Sequence, residues 1–360
     1  MPYPQNMRSS RPIAKAGTTQ GELAILRQIR ARASQTASTS LRLGIGDDCA
    51  LLRLRSGEEL AITTDLSIAG RHFRLDWHQP ESIGHRALAR GLSDLAAMGA
   101  RPVAAFLSIG LPRELTTSST KRRTSWLQRF LDGLFALAAA HKTPLAGGDL
   151  SESTTPLADI VLVGAVPSGK ALLRSGARPG HLLYVTGDLG GSAAGLAKLG
   201  RLAHLAEPRS ARPTPPRIPK KLDALLAPQL YPQPRIAQGL WLRRDGLASS
   251  AIDLSDGLST DLTHLCEESK VAAEIDASQL PIHPGATQSQ ALHGGEDYEL
   301  LFTAPAAANV PKKIASTPVT KIGRILPARA NRPTVTLITP QGREPLRARG
   351  WEHFDNDSSV

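Results

Sequence analysis

The sequence predicts an α/β fold, of the mixed α+β kind, arranged as two successive domains. The chain has 360 residues, a length that accommodates two domains of ordinary size. Short runs rich in Val, Ile and Leu alternate with longer segments whose apolar residues recur at helical spacing. This alternation begins again near residue 167, which divides the chain into two α/β halves.

The first half begins with a predicted helix over 21–33, followed by the strand-like runs "ALLRLRS" and "LAITTD". Residues 80–98 have the spacing of an amphipathic helix and open with Pro80, a favourable first-turn residue. A second amphipathic helix is expected over 120–141. The other predicted strands are "VAAFLSIGLP", "TPLAGGD" and "DIVLVGAVP".

The second half opens with the strand "GHLLYVTG" and the Gly-rich start of a helix, "DLGGSAAGLAKLG". Another helix is expected around 235–245, and "SSAIDLSDGLSTDLTHLCEES" predicts a strand, a turn and a helix. The remaining predicted strands are "VAAEIDA", "DYELLFTA", "VTKIGRI" and "TVTLIT".

These patterns give the expected domain organisation. We expect a disordered tail over 1–20, a first domain over 21–166 and a second domain over 167–355. The second domain contains a basic, Pro-rich segment at about 201–230, where "RPTPPRIP" is typical of an exposed linker or insertion.

The composition restricts the partners and the location. A formal net charge of +11 favours a polyanionic partner, which is a nucleic acid, an acidic membrane surface or a phosphorylated substrate. Much of the basic excess lies between Lys198 and Lys221, so the charge does not define a binding groove. Cys49 and Cys266 are too few for a disulfide framework, and no CxxC pair indicates zinc. Without a long apolar run or a secretory signal, the sequence predicts a cytoplasmic protein without a membrane span.

Acidic residues gather at strand ends and beside glycines, where loops meet at one edge of a sheet. Mg²⁺ binds oxygen ligands and is usually shared between one or two carboxylates and the phosphates of a substrate. Several carboxylates in one cleft repel each other unless cations neutralise them. This pattern therefore predicts a magnesium site. The acids are Asp47, Asp48, Asp65, Asp94, Asp149, Asp253, Asp256, Glu296 and Asp297.

Simpler interpretations remain open for single residues. An aspartate after a strand is most often a turn residue, and Ser255 with Asp256 suits a helix cap. The segment "GDLGGSAAG" fits either phosphate binding at a helix start or a close helix–strand crossing. His72 contacts substrate or is structural, and Arg174 clamps a phosphate or is an ordinary surface residue.

A set of motifs occurs in a fixed order over roughly residues 20–355. They are "GIGDDCALL", "TTD" followed by "AGRHF", "LSDLAAMGA", "GGD", "RSGARPG", "AIDLSDGLSTDL", "GGEDYEL" and "RGWEHF". Singly these motifs are weak, but together they resemble the thiamine-monophosphate kinase family. "LSDLAAMGA" is shared with the wider superfamily of ATP-dependent enzymes that includes aminoimidazole ribonucleotide synthetase.

The resemblance implies two α/β domains, in which the N-terminal half pairs with its copy in a homodimer and the C-terminal half completes the nucleotide site. It implies that ATP phosphorylates thiamine monophosphate to thiamine diphosphate with several Mg²⁺ ions. Because the acceptor phosphate is already deprotonated near neutral pH, we expect direct in-line transfer without a phosphoenzyme. By motif matching, the implied Mg²⁺ ligands are Asp48, Thr63, Thr64, Asp65, Asp94, Asp149, Asp253 and Asp256, whose aspartates are also the implied catalytic residues. The implied ATP contacts are Gly148, Asp149, Arg174 and Ser255, and the implied thiamine phosphate contacts are His72, Glu296 and Trp351.

Two alternatives stay open at this point. The chain could be another ATP-dependent enzyme of the same superfamily, such as an aminoimidazole ribonucleotide synthetase. The net charge also fits a nucleic-acid-binding protein, although no reader motif or aromatic interleaving accompanies it. The motif set favours the kinase, with no specific nucleic-acid partner.

Overall fold

The computed structural model of the protein describes residues 22–36, 38–117, 124–205, 215–216 and 218–350. The predicted tail, much of the basic Pro-rich segment and Trp351 fall outside these ranges. Among the described helices, none has the length and apolar character needed to cross a membrane.

The first half contains a four-stranded sheet in the order β3-β6-β4-β5, in which only the β4–β5 pair is parallel. Helices α2 and α4 pack together, and α2 lies against β3 and β6. Its helices are α1 (Glu22–Ala33), α2 (Pro80–Ala97), α3 (Arg113–Thr116) and α4 (Trp126–Ala140). Its strands are β1 (Leu41–Leu43), β2 (Leu51–Leu52), β3 (Glu58–Ile68), β4 (Arg101–Leu111), β5 (Leu145–Glu152) and β6 (Leu157–Pro167).

The second half contains an eight-stranded sheet in the order β14-β13-β9-β12-β7-β10-β8, with β11 paired to β12. Only the β13–β9 pair is parallel. Its helices are α5 (Gly191–Leu205), α6 (Asp223–Leu230), α7 (Ile236–Arg244), α8 (Leu258–Ser269) and α9 (Gln288–His293). Its strands are β7 (Leu182–Thr186), β8 (Ser250–Asp253), β9 (Val271–Asp276), β10 (Leu300–Ala304), β11 (Lys313–Ile314), β12 (Thr317–Pro327), β13 (Val335–Thr339) and β14 (Gly342–Pro345).

The predicted elements differ from the structure mainly at their ends. Helix α4 begins at Trp126, later than expected, because Ser125 and Gln128 form a capping box that fixes its first turn. The predicted strand "ALLRLRS" shrinks to Leu51–Leu52, because the chain turns at Arg55 to enter β3. Helix α6 lies within the basic Pro-rich segment and buries Leu226 and Leu230.

Helix α2 joins the two halves. It is buried on nearly all sides, and its apolar residues share one hydrophobic core with Phe302 of β10 and Leu242 of α7. A Cβ at Gly84 would overlap the Phe130 carbonyl of α4, so glycine permits the close α2–α4 crossing. Polar residues of α2 are therefore buried between the two sheets, where they require partners.

Candidate active site

Helix α2 carries a polar stripe on the side that faces β3 and the second half. These positions lie on one side of a helix because residues three, four and seven apart share a face. Each side chain of the stripe meets a partner outside the helix. The stripe consists of Arg86, Arg90, Ser93 and Asp94, and the partners are Glu296, Asp65, Asp253 and Thr63.

Three of the predicted acids approach each other from three different elements. Asp65 lies on β3, Asp94 on α2 and Asp253 at the end of β8. Thr63 donates a hydrogen bond to Asp94, and the Ser93 hydroxyl donates to Asp253 Oδ2 over 2.7 Å. We call Asp65, Asp94 and Asp253 the acid group.

The acid group is held together at an electrostatic cost. Burial, followed by the charges of Asp253 and Asp65, raises the pKa of Asp94 to about 7. Burial and the charge of Asp65 raise the pKa of Asp253 to about 6, although the Ser93 hydrogen bond opposes this shift. Burial also raises the pKa of Asp65. Carboxylates with this arrangement gain stability from a nearby cation.

The carboxylate oxygens of the acid group fit a divalent cation whose coordination is completed by other ligands. Asp65 Oδ2 is buried and has no hydrogen-bond partner within the described residues. Across those same ranges, no group of three or more His, Cys, Asp or Glu side chains is arranged to hold a metal ion by itself. Mg²⁺ suits such a site, because it keeps several waters and takes phosphate oxygens beside one or two carboxylates.

The predicted threonine pair is divided between the two faces of β3, because side chains alternate along a strand. Thr63 shares the face of Asp65 and contacts Asp94, whereas Thr64 is exposed and donates to Asp159 Oδ1 over 3.1 Å. Only Thr63 therefore joins the acid group through its side chain.

Asp48 and Asp149 are exposed, and no hydrogen bond or ion pair within the described residues links either side chain to the acid group. The Asp48 N–H donates to Asp47 Oδ1 over 2.9 Å, which fits a turn-forming role for Asp47. Gly148 precedes Asp149 on β5 and has a φ of 144°. A Cβ at Gly148 would overlap the Leu107 carbonyl, so sheet geometry also explains this glycine.

Ser255 and Asp256 lie in the turn before α8, two residues and one residue ahead of its N-cap. The N-cap is Gly257, and the turn is held by Asp261, which accepts from the N–H groups of Asp256 and Gly257 over 3.1 and 3.0 Å. The N-cap position is therefore held by Gly257 and not by Ser255 or Asp256. Burial raises the pKa of Asp261 to about 8, and the charges of Asp253 and Asp256 add to this effect.

Arg174 supplies positive charge near the acid group. It is exposed in a short 3-10 helix, Arg174–Gly176, which follows the first half. Its guanidinium lowers the pKa of both Asp94 and Asp253 against the larger effect of burial. This position fits the predicted phosphate clamp better than an unrelated surface arginine.

The "GGED" loop connects α2 to the second half. Glu296 accepts from Arg86 over 2.6 and 2.7 Å and holds a positive φ of 65°. Asp297 accepts from the N–H groups of Gly190 and Ser192 over 2.6 and 3.0 Å at the start of α5. The Asp297 carboxylate thus binds the N–H groups at the start of α5 that a phosphate bound by "GDLGGSAAG" would use.

His72 lies beside the other end of the stripe. Its Nδ1 accepts from the Ile68 N–H over 3.1 Å, which closes a tight turn after β3. It also lines a narrow cavity together with Arg86 and Arg90 of α2. His72 and Glu296 therefore lie on the same side of the site, at the Arg86 end of the stripe.

Sequence reasoning missed several residues of this region. Arg86, Arg90 and Ser93 could have been found from their helical spacing with Asp94 in "HRALARGLSD". Asp261 lay inside a quoted motif, but its role depends on a turn that the sequence does not display. Trp351 lies outside the described residues, so its predicted contact stays a prediction.

Known proteins resemble this chain over most of its length. The family model for the N-terminal domain of AIR synthase related proteins matches residues 46–166, and the C-terminal domain model matches residues 178–336. The thiamine-monophosphate kinase of Escherichia coli is 39% identical over 89% of this chain and 94% of its own length. The chain belongs to the thiamine-monophosphate kinase family. This membership confirms the predicted family, the two-domain fold class and the kinase activity class.

Solved structures of similar proteins agree with this assignment. The enzyme of Stenotrophomonas maltophilia is 36% identical, covers 88% of this chain and 96% of its own, and has a TM-score of 0.72. A relative named AaThiL, solved in complex with AMPPCP and TMP, is 29% identical with a TM-score of 0.69 and covers 93% of this chain and 97% of its own.

The stability of the metal-free protein is expected to fall as pH rises from 6.5 to 8. Burial raises the pKa values of Asp94, Asp261 and Asp297 to about 7, 8 and 7, above their unfolded values, so the folded state binds more protons between pH 6.5 and 8. The net loss should be about 1–3 kcal/mol, because histidines whose pKa burial lowers, such as His78, offset part of the loss from the three acids. Denaturant unfolding in a chelator at both pH values measures it.

The fall in stability with rising pH is confined to pH values above about 6.5, because a buried histidine makes stability change in the opposite direction at lower pH. Burial lowers the pKa of His78 to about 3, so the unfolded chain binds the extra proton below pH 6.5. Unfolding free energies that are equal at pH 6.5 and 8, or higher at pH 8, would contradict the shifts of the buried acids.

Proposed function

We propose that this protein transfers the γ-phosphoryl group of ATP to thiamine monophosphate, which gives thiamine diphosphate and ADP. The observation that carries this proposal is the convergence of Asp65, Asp94 and Asp253 between the two halves, next to Arg174. The family membership and the AaThiL complex with AMPPCP and TMP support the choice of donor and acceptor.

We propose Mg²⁺ as the metal and the acid group as its protein ligands, with the orphaned Asp65 Oδ2 as one ligand atom. Asp48, Thr63, Thr64, Asp149 and Asp256 stay proposed ligands from the motif match. When bound, Mg²⁺ supplies positive charge that neutralises phosphate oxygens and orients them.

The protein side chains bring two phosphorylated molecules together. Arg174 lies where a guanidinium can hold a nucleotide phosphate, and Gly148, Asp149 and Ser255 complete the proposed ATP site. His72, Glu296 and Trp351 are the proposed contacts of thiamine monophosphate. The attacking oxygen belongs to a phosphate that is deprotonated near neutral pH, so no general base is required. Positioning and charge stabilisation are sufficient for direct in-line transfer.

Product analysis tests this function. The purified protein is incubated with ATP, MgCl₂ and thiamine monophosphate, and thiamine diphosphate and ADP are quantified by chromatography. We expect equal amounts of both products, and no ADP release above background with thiamine or with acceptors of other enzymes of the superfamily. Release of ADP with one of those other acceptors, but not with thiamine monophosphate, would favour the alternative superfamily activity.

We also propose that the protein forms a homodimer through the outer face of the first sheet. Leu60, Ile62 and Leu66 alternate along edge strand β3 on the face opposite α2 and are 52%, 64% and 45% exposed. A row of large apolar side chains on an edge strand is a typical protein interface. A second copy of the chain would cover the same row on its partner.

The Ile62→Glu variant is expected to be monomeric, because two glutamates would be buried in a symmetric contact. Size-exclusion chromatography with light scattering measures the mass. Leu196→Glu is the matched control, since Leu196 is exposed on α5 outside this face. A wild-type monomer, or an Ile62→Glu dimer, would exclude this face as the dimer interface.

The thiols support the cytoplasmic location that the sequence predicts. Cys49 is exposed, Cys266 is buried, and both are free. Exposed free thiols persist in reducing compartments. The cytoplasm also supplies the ATP on which the proposed reaction depends.

A further inference from the structure

Arg90 is a partly buried arginine with weak contacts. Its side chain is 19% exposed and lies in the middle of the polar stripe of α2. Within the described residues its hydrogen-bond and ion-pair partners are distant, with 3.5 Å to Asp65 Oδ1 and 3.4 Å to Ser67 Oγ. A guanidinium has five N–H donors. Arg90 therefore retains the capacity to bind an additional oxygen-rich partner.

Arg86, one helical turn earlier, is already paired closely with a protein carboxylate. Its Nη2 donates to both carboxylate oxygens of Glu296 over 2.7 and 2.6 Å, which neutralises its charge. Both arginines line the same cavity, and of the two it is Arg90 whose charge lacks a close carboxylate partner.

The cavity lies between the α2 stripe and the turn that contains His72 and Phe73. Its volume is about 10 Å³, which leaves room for a single water. A phosphate enters only if a side chain moves, and the long contacts of Arg90 make this side chain the least costly to move. Arg90 also lies 3.5 Å from Asp65 Oδ1 of the acid group.

We infer that Arg90 binds the phosphate group of the acceptor and holds it beside the acid group. This inference rests on the proposed function, and it adds a binding residue that the motif comparison did not include. The fork of a guanidinium matches two oxygens of a phosphate, which a lysine ammonium cannot do. The phosphate would replace the two long contacts of Arg90 by shorter, charge-assisted ones.

The nucleotide is the other possible source of a phosphate at this position. The location of Arg90 favours the acceptor, because it shares the cavity with His72, a proposed contact of thiamine monophosphate. Arg174 comes from the segment between the two halves and acts on Asp94 and Asp253. The two arginines would then serve different phosphates, with the acid group between them.

Calorimetric titrations separate these sources. Thiamine monophosphate, thiamine and ADP are titrated separately into wild-type protein, Arg90→Gln and Arg90→Lys, with Mg²⁺ present and no ATP, so that no turnover occurs. We expect Arg90→Gln to weaken thiamine monophosphate binding about 10- to 100-fold. Thiamine and ADP should bind within about twofold of wild type, because thiamine has no phosphate and the phosphates of ADP are assigned to Arg174. Arg90→Lys keeps the charge but loses the fork, so its loss should be intermediate.

Arg113→Gln is the matched control, since it removes the same charge from an exposed arginine paired with Glu152. It should leave all three affinities unchanged. Unaltered thiamine monophosphate binding in both Arg90 variants, or an equal loss for thiamine, would overturn the inference while the proposed function stands. A loss confined to ADP would also overturn it, because the phosphate would then be that of the nucleotide. Wild-type protein that does not bind thiamine monophosphate would instead contradict the proposed function itself.

Discussion

The Asp94→Asn variant should lose about 10³-fold in turnover and still melt at a higher temperature than the wild-type protein in chelator. The amide keeps an oxygen that can accept the Thr63 hydrogen bond, so the local geometry is preserved. It removes a buried negative charge that Asp253 and Asp65 repel. Relief of this repulsion should stabilise the fold by about 1–3 kcal/mol at pH 8.

Two measurements on the same variant distinguish a metal ligand from a structural residue. Turnover is measured with saturating substrates and Mg²⁺, and thermal unfolding is measured in EDTA at pH 8. Asp132→Asn is the control, since Asp132 is an exposed aspartate that pairs with Arg32 on α1. The control should match wild type in turnover. Loss of both stability and activity in Asp94→Asn would show that Asp94 mainly holds the fold together.

The Asp48→Asn variant should also lose about 10²–10³-fold in turnover, but with an unchanged melting temperature. Asp48 is exposed and makes no side-chain hydrogen bond within the described residues, so its charge contributes little to the folded state. Its proposed role begins only when the nucleotide and Mg²⁺ bind. Steady-state kinetics measures the turnover, and thermal unfolding measures the melting temperature.

Asp47→Asn is the natural control for this loop. Asp47 accepts a hydrogen bond from the Asp48 N–H through Oδ1, and an asparagine oxygen can accept the same bond. This neighbouring substitution should therefore leave turnover within a few-fold of wild type. If Asp47→Asn loses activity and Asp48→Asn does not, the metal-ligand role belongs to the first aspartate of the pair.

The central acids could be predicted from the sequence because their positions depend on local structure. Asp65 follows a strand-like run, Asp94 lies in a helical pattern, and Asp253 ends a short apolar strand. Strand ends and their loops collect at the edges of sheets, so acids at these points were expected to meet. In the structure the three carboxyl groups lie near enough to shift one another's pKa values, whereas their role as metal ligands and the proximity of Asp48 and Asp149 stay predictions.

The partners of α2 could not be predicted, because they depend on contacts between the two halves. Arg86 and Glu296 are 210 residues apart, and Ser93 and Asp253 are 160 apart. Helical spacing places the α2 residues on one face, but it does not show which distant loop meets that face. The role of Asp261 was hidden for a similar reason, since it closes a turn that begins five residues earlier.

The central claim is that the acid group receives a divalent cation between the two phosphorylated substrates. The most direct test is anomalous diffraction from crystals grown with Mn²⁺, a non-hydrolysable ATP analogue and thiamine monophosphate. We predict a Mn²⁺ peak about 2.0–2.3 Å from carboxylate oxygens of at least two members of the acid group, with phosphate oxygens completing its coordination. Well-ordered substrates with no Mn²⁺ peak at Asp65, Asp94 or Asp253 would contradict the claim.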